Sequence, residues 1–174
     1  MKTKTFALLL FLSSIYSFAQ TNFDISTLRI GPFTLNMNAE AADKIAGKKL
    51  FVDERNYAPN HINYYGEIVS VTLYETYQSE NEERKRHIAN IATSSRKFRT
   101  KSGLGVGSTK DQLIDAYRGF SSFSVYPGWN DDGTANKSES FFTLTDNDAN
   151  TVLSFRMKDN TVVEVSVYND EGGC

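Results

Sequence analysis

Ser102-Gly103-Leu104-Gly105-Val106-Gly107-Ser108-Thr109-Lys110-Asp111-Gln112-Leu113 is the stretch that decides the fold. Glycines alternate with small apolar residues, and a helix start follows at once. Thr109 is a good N-cap, and Gln112 three residues on completes a capping box. Asp111 complements the helix dipole in the first turn. Leu113, Ala116 and Tyr117 predict one apolar face, and Gly119 the stop. Seventy-one residues earlier Gly31-Pro32-Phe33-Thr34-Leu35-Asn36-Met37-Asn38-Ala39-Glu40-Ala41-Ala42 does something similar. Asn38 is a candidate cap for a helix carrying Ala42, Ile45 and Ala46, closed by Gly47. An echo at that offset predicts two copies of one structural unit.

Downstream of the second copy the pattern changes to a period of two. Phe120 to Tyr126, Ser140 to Thr145, Thr151 to Met157 and Val162 to Tyr168 read as strands. Leu153, Phe155 and Met157 alternate with Ser154 and Arg156. Val163, Val165 and Val167 alternate with Glu164 and Ser166. This is the mark of an antiparallel sheet with one buried face. Lys158 to Thr161 reads as a tight hairpin turn, with Asp159 and Asn160 suited to left-handed backbone.

In the first half, Leu50 to Asp53, His61 to Tyr65 and Ile68 to Tyr77 are the strand candidates. Ser79 to Ala92 is charged and helix-prone, yet correspondence with the second half predicts a hairpin loop and then a strand from about His87 to Phe98. The expected fold is α+β. Two tandem helix-then-antiparallel-sheet units, residues 20–101 and 102–174, pack their helices on one face of a largely antiparallel sheet.

The N-terminus reads as an address. Lys2 and Lys4 precede an apolar run from Phe6 to Ile15, and Ser17-Phe18-Ala19 fits a small-x-small cleavage site. A run of about ten residues is short of the roughly twenty that span a bilayer. Residues 1–19 are therefore expected to be a signal peptide, Gln20 the mature start, and the protein periplasmic or secreted. No cysteine follows for lipid attachment. The 19 Lys and Arg, less Lys2 and Lys4, face 21 Asp and Glu. That balance argues against a nucleic-acid partner. Cys174 is the sole cysteine. It reads as an exposed thiol or as the link of a disulfide dimer.

Gly-apolar-Gly-x-Gly-Ser-Thr, a capped helix, and the closing Leu153-Ser154-Phe155-Arg156-Met157-Lys158-Asp159-Asn160-Thr161-Val162-Val163-Glu164-Val165-Ser166-Val167 together resemble the β-lactamase-inhibitor-protein-like superfamily. That superfamily includes the small outer-membrane assembly lipoproteins of the SmpA/OmlA type. Ser102 to Tyr168 carries most of the likeness. The resemblance implies a tandem helix-plus-sheet fold whose members bind other proteins on the open, concave face of the sheet. Its motifs are structural and transfer no binding residue. The chain lacks the lipoproteins' lipobox cysteine and the secreted inhibitor's disulfides.

Catalytic chemistry is not legible. The Gly103-x-Gly105-x-Gly107 run lacks the lysine of a phosphate loop and the third glycine of a dinucleotide fingerprint. His61 and His87 have no partner at metal-ligand spacing. No nucleophile elbow occurs. Asp146-x-Asp148-x-Asn150 opens like a calcium loop but lacks the later glycine and acidic ligand. The expectation is a non-enzymatic protein-binding module without cofactor or metal. Small-ligand binding is the alternative, and a hydrolase with a dispersed site a more distant one.

Tyr126-Pro127-Gly128-Trp129-Asn130-Asp131-Asp132-Gly133 is the interaction candidate. It holds the only tryptophan, and Trp and Tyr are hot-spot residues. The more ordinary reading is a tryptophan folded back over the sheet edge. Tyr64 and Tyr74, with Tyr65 and Tyr77, are expected to add aromatic surface on the non-core face of the first-half strands.

Overall fold

The computed structural model describes residues 22–53, 57–76 and 84–170. In chain order it contains β1 (Asp24–Ile25), β2 (Arg29–Ile30), β3 (Phe33–Thr34), α1 (Ala39–Ala46), β4 (Asn60–Tyr64), β5 (Glu67–Thr76), β6 (Lys85–Thr93), β7 (Arg99–Thr100), α2 (Lys110–Tyr117), β8 (Phe123–Trp129), β9 (Ala135–Asp146), β10 (Thr151–Lys158) and β11 (Thr161–Asn169). The architecture is α+β. A seven-stranded sheet runs β4-β5-β6-β11-β10-β9-β8, and a small sheet runs β3-β2-β1-β7. Every pair in the large sheet is antiparallel. Its two halves meet where β6 pairs β11 through Thr93–Val165 to Asn90–Tyr168.

Both helices start as the sequence predicts. The Asn38 side chain accepts from the Ala41 N–H, and Gly47 closes α1 in left-handed conformation at φ 66°. Thr109 and Gln112 form the full capping box of α2. Ala39 and Ala42 from α1 and Leu113 from α2 enter one hydrophobic cluster with Val71, Ile91, Phe142, Phe155 and Val167. Both helices therefore lie against one face of the large sheet. Two inward residues differ from expectation. Ile45 is exposed. On α2, Ala116 is exposed and Ile114 packs instead, because the helix meets the sheet through Tyr117. That ring lies 6.1 Å from Phe142 and 6.3 Å from Phe155.

The glycine-rich stretch is a structural turn. Gly103 and Gly107 take φ of 78° and 91°, where other residues are strained. Leu104 and Val106 are buried beside them. Its amides are committed within the protein: Gly105 donates to Ser108 Oγ, Gly107 to the Val162 carbonyl and Ser108 to the Gly105 carbonyl. Lys110 N–H, at the start of α2, donates to the Asn160 carbonyl. A phosphate would find these donors taken.

Strand readings depart from expectation at several places, among them β9, which begins at Ala135 rather than Ser140. Leu50 to Asp53 is not a strand, because the Asn60 side chain takes the role of a ladder. It accepts from Phe51 N–H at 2.9 Å and donates to the Phe51 carbonyl at 2.8 Å. β6 begins at Lys85 and ends at Thr93, so the strand reading of that segment holds but its end falls earlier than Phe98. β8 starts at Phe123 rather than Phe120 and runs on through Pro127 to Trp129. In β11 a bulge pairs Met157 with Val162 after Arg156 with Glu164. Val162 is therefore buried and Val163 only half-buried. An extra residue in one strand re-aims its side chains.

The small sheet has no sequence signature, since its strands are two residues long. Its core is Phe98, fully buried, with Phe23 stacked edge-on at 5.0 Å. Gly31 is required here: a Cβ would meet Phe98 Cε1 at 2.8 Å and the Asn22 carbonyl at 2.9 Å.

Candidate functional site

The face of the large sheet away from the helices carries the candidate site, and strand register orders its residues into rows. Ser124 on β8 stands beside Thr143, Ser154, Ser166, Ala92 and Ser70, one residue per strand. This is a trough of small side chains across the sheet. Above it Tyr126 on β8 pairs Phe141 on β9, which pairs Arg156 on β10, which pairs Glu164 on β11. Below it Tyr168 stands between Val152 on β10 and Asn90 on β6.

Two tyrosines lean over the trough. Tyr126 stacks on Phe141 at 5.5 Å and 20°. Burial first, then Tyr126 and Asp170, push the Tyr168 hydroxyl up to about 12, while Ser154 partly offsets them. Tyr126 and Tyr168 come from strands three apart, so their hydroxyls neighbour one another only if this face is concave. Thr143 and Ser154 are buried beneath them.

Arg156 ties three strands together. Its Nη1 donates to Glu139 at 3.1 Å and its Nε to Glu164 at 3.3 Å. Desolvation alone would lower its affinity for the proton; the two carboxylates reverse that and raise it. Arg156 is therefore a fixed, fully charged group between two fixed carboxylates.

The tip of the β8–β9 hairpin presents Trp129, 67% exposed. It does not fold back over the sheet. The turn beneath it is held by Asn130 N–H to the Thr134 carbonyl at 2.8 Å and Gly133 N–H to the Asn130 carbonyl at 2.9 Å. Asp132 accepts from both the hydroxyl and the N–H of Thr134, which hold its carboxyl below the usual range.

The margins of the sheet differ. At β4 the Asn60 side chain engages Phe51, and Lys48 Nζ donates to the His61 carbonyl at 2.9 Å. At β8 the Ser122 carbonyl accepts from Thr145 N–H, so the even-numbered residues face β9. The backbone of Phe123, Val125 and Pro127 then faces outward. Pro127 lacks an N–H to lose there, as befits an edge strand. Phe123, Val125, Tyr126 and Trp129 are all exposed large hydrophobics.

The sequence-predicted residues separate. Tyr126 and Trp129 lie together on β8. Tyr74 is on the open face of the other half, opposite His87, its hydroxyl donating to Asn36 Oδ1 at 3.1 Å. Tyr64 is corrected: it packs against the core, 5.8 Å from Phe23 and 6.5 Å from Phe98. Strand alternation puts it on the helix side, with Ile62. Tyr77 and Cys174 lie outside the described residues, as do 1–21. Phe141, Arg156 and Tyr168 were missed: the Asp159-Asn160 hairpin alone would set Arg156 against Val163, and only the β11 bulge brings it beside Glu164.

His61 Nδ1 lies 2.9 Å from Ser70 Oγ, and His87 Nδ1 lies 3.2 Å from the Asn36 carbonyl. Among the described residues no group of three or more His, Cys, Asp or Glu could hold a metal ion. Asp146 spends one carboxylate oxygen on Ala149 N–H and the other on the Thr27 hydroxyl. No described helix is long and apolar enough to cross a membrane. No protein-family model, curated protein or solved structure matches the chain.

Proposed function

We propose that this is an exported, non-catalytic protein-binding module, of inhibitor, immunity or envelope-assembly type, that takes its partner on the concave face and free margin formed by β8 to β11. The observation that carries the reading is the exposed apolar run of β8. Phe123, Val125, Tyr126 and Trp129 sit on an edge strand whose outer backbone is unpaired among the described residues. Proteins usually blunt such edges, as this one does at β4 with Lys48. A partner strand laid along β8 would gain backbone hydrogen bonds, and Trp129 and Tyr126 would supply aromatic anchors. The fixed Glu139–Arg156–Glu164 row beside them would set orientation.

The tandem reading and the β-lactamase-inhibitor-protein-like resemblance gain support from positional equivalence. Phe33 and Leu104, Leu35 and Val106, and the caps Asn38 and Thr109 keep the seventy-one-residue offset, and each apolar member is buried. Each cap also bridges a strand, Asn38 to His87 and Thr109 to Thr161. Export rests on the Lys2 to Ala19 pattern. Mass spectrometry of the mature protein is expected to give a start at Gln20, and retention of residues 1–19 would overturn it.

The test of partner binding is affinity capture from the protein's own envelope extract with wild type, Trp129→Ala and Tyr126→Ala. The variants are expected to lose a partner that wild type retains. Retention by both variants would remove β8 from the interface.

A further inference from the structure

A groove of about 820 Å³ opens at one end of the sheet. There β11 stops and residues 36–38 take its place beside β6, through Asn36 N–H to the Ile88 carbonyl and Ile88 N–H to the Met37 carbonyl. Its volume lies within the roughly 300–1,000 Å³ of small-molecule sites. Its aromatic walls are Tyr74 from β5, Tyr168 from β11 and Tyr57 from the segment before β4. Its amides are those of Asn90, Asn150 and Asn169. Among the described residues no lysine or arginine lines it, and Asp170 is the one charged residue that does.

The lining is held in place before any ligand arrives. Asn36 Oδ1 accepts from the Tyr74 hydroxyl at 3.1 Å and from Asn169 Nδ2 at 3.2 Å. The Tyr74 ring is backed by His87 at 5.7 Å. Asn150 Nδ2 donates to the Asp170 carbonyl at 2.8 Å, and Asp170 N–H returns a bond to the Asn150 carbonyl at 2.9 Å.

Tyr57 stands out. It is 70% exposed, yet its backbone is left-handed at φ 51°. Tyr65, Asp159 and Asn160 share that conformation inside tight β-hairpin turns. Tyr57 is in no such turn; its N–H donates to the Asp53 carbonyl at 3.0 Å. A bulky residue in this region costs about 1–3 kcal/mol, and such strain collects at ligand sites. Core packing does not account for it, because the ring is in solvent.

We propose that this groove binds a neutral oligosaccharide. A pyranose ring has C–H faces that lie flat on aromatic rings, and a rim of hydroxyls that both donate and accept. Tyr57, Tyr74 and Tyr168 supply the first kind of contact. Asparagine side chains, each with two donors and an acceptor, supply the second. A phosphorylated or carboxylated ligand would meet Asp170 and, among the described residues, no cation. An apolar ligand would cover the partly exposed amides of the groove and offer them no hydrogen bond. The groove shares Tyr168 with the open face of β8 to β11 but takes no residue from β8 itself.

The test uses the full chain on an array of neutral oligosaccharides, namely chito-, cello-, malto- and manno-hexaose, with sulfated and sialylated glycans alongside. Calorimetric titration of the best neutral probe follows. Saturable binding of at least one neutral probe is expected. Tyr57→Ala is expected to weaken it about tenfold or more, Tyr57→Phe to restore it, and Trp129→Ala to leave it unchanged. Binding by charged glycans alone, or by none, would overturn the proposal. So would wild-type affinity in Tyr57→Ala, or equal loss in Trp129→Ala.

Discussion

The Asn60 side chain holds Phe51 by both backbone groups, accepting from its N–H and donating to its carbonyl, and it also donates to the Val71 carbonyl at 3.2 Å. One buried amide thus does what a further strand would do at the β4 margin. Asn60→Ala removes three hydrogen bonds and leaves a buried acceptor without its donor. A loss of about 2–3 kcal/mol is expected by urea unfolding. Wild-type stability would mean that the 51–53 segment is held by other contacts.

Gly105 is required by close approach rather than by backbone sign. A Cβ there would meet the Phe98 carbonyl at 2.5 Å and Arg99 Nη1 at 2.7 Å, whereas one at Gly119 would meet nothing within 4 Å. Gly105→Ala is expected to lower stability by about 2 kcal/mol or more through overpacking. Gly119→Ala should change little. Equal thermal midpoints for the two variants would refute the steric account.

Tyr168 should make the protein sensitive to alkali. Its hydroxyl ionises near 10.0 when free and at about 12 in the folded chain, first through burial and then through Tyr126 and Asp170. The folded state holds the proton more tightly, so this contribution is whole below pH 10 and is lost as pH rises toward about 12. Tyr168→Phe is expected to flatten the fall in stability across that window. An unchanged slope would place the buried hydroxyl elsewhere.

Trp129 is the chain's single tryptophan, so its fluorescence reports on the β8–β9 tip alone. Strong quenching by acrylamide is expected in the free protein. Trp129→Ala should shift stability by less than about 0.5 kcal/mol, the usual range for exposed positions. A larger loss would make Trp129 a packing residue.

Helix caps and the alternation of β10 and of β11 from Val165 onward were legible because each is written within a few consecutive residues. Three features were not. The β11 bulge exchanges Val163 for Val162 in the core, and alternation alone cannot count an extra residue. The Asn60 clamp and the Asn36–Tyr74–Asn169 network join residues remote in sequence, and single asparagines carry no periodic signal. Tyr64 and Tyr74 both read as strand tyrosines, yet opposite parity sends one to the core and the other to the open face.

In chain order β11 is the last described strand, but in space it lies between β6 and β10. As the chain leaves the ribosome, β4 to β6 and β8 to β10 can form only as two separate ribbons, each with one face and one margin uncovered. The sheet becomes a single body when Thr161–Asn169 slides between them. Closure of the sheet therefore waits for β11. A chain cut before Thr161 would lose the strand that pairs β6 and β10 into one sheet.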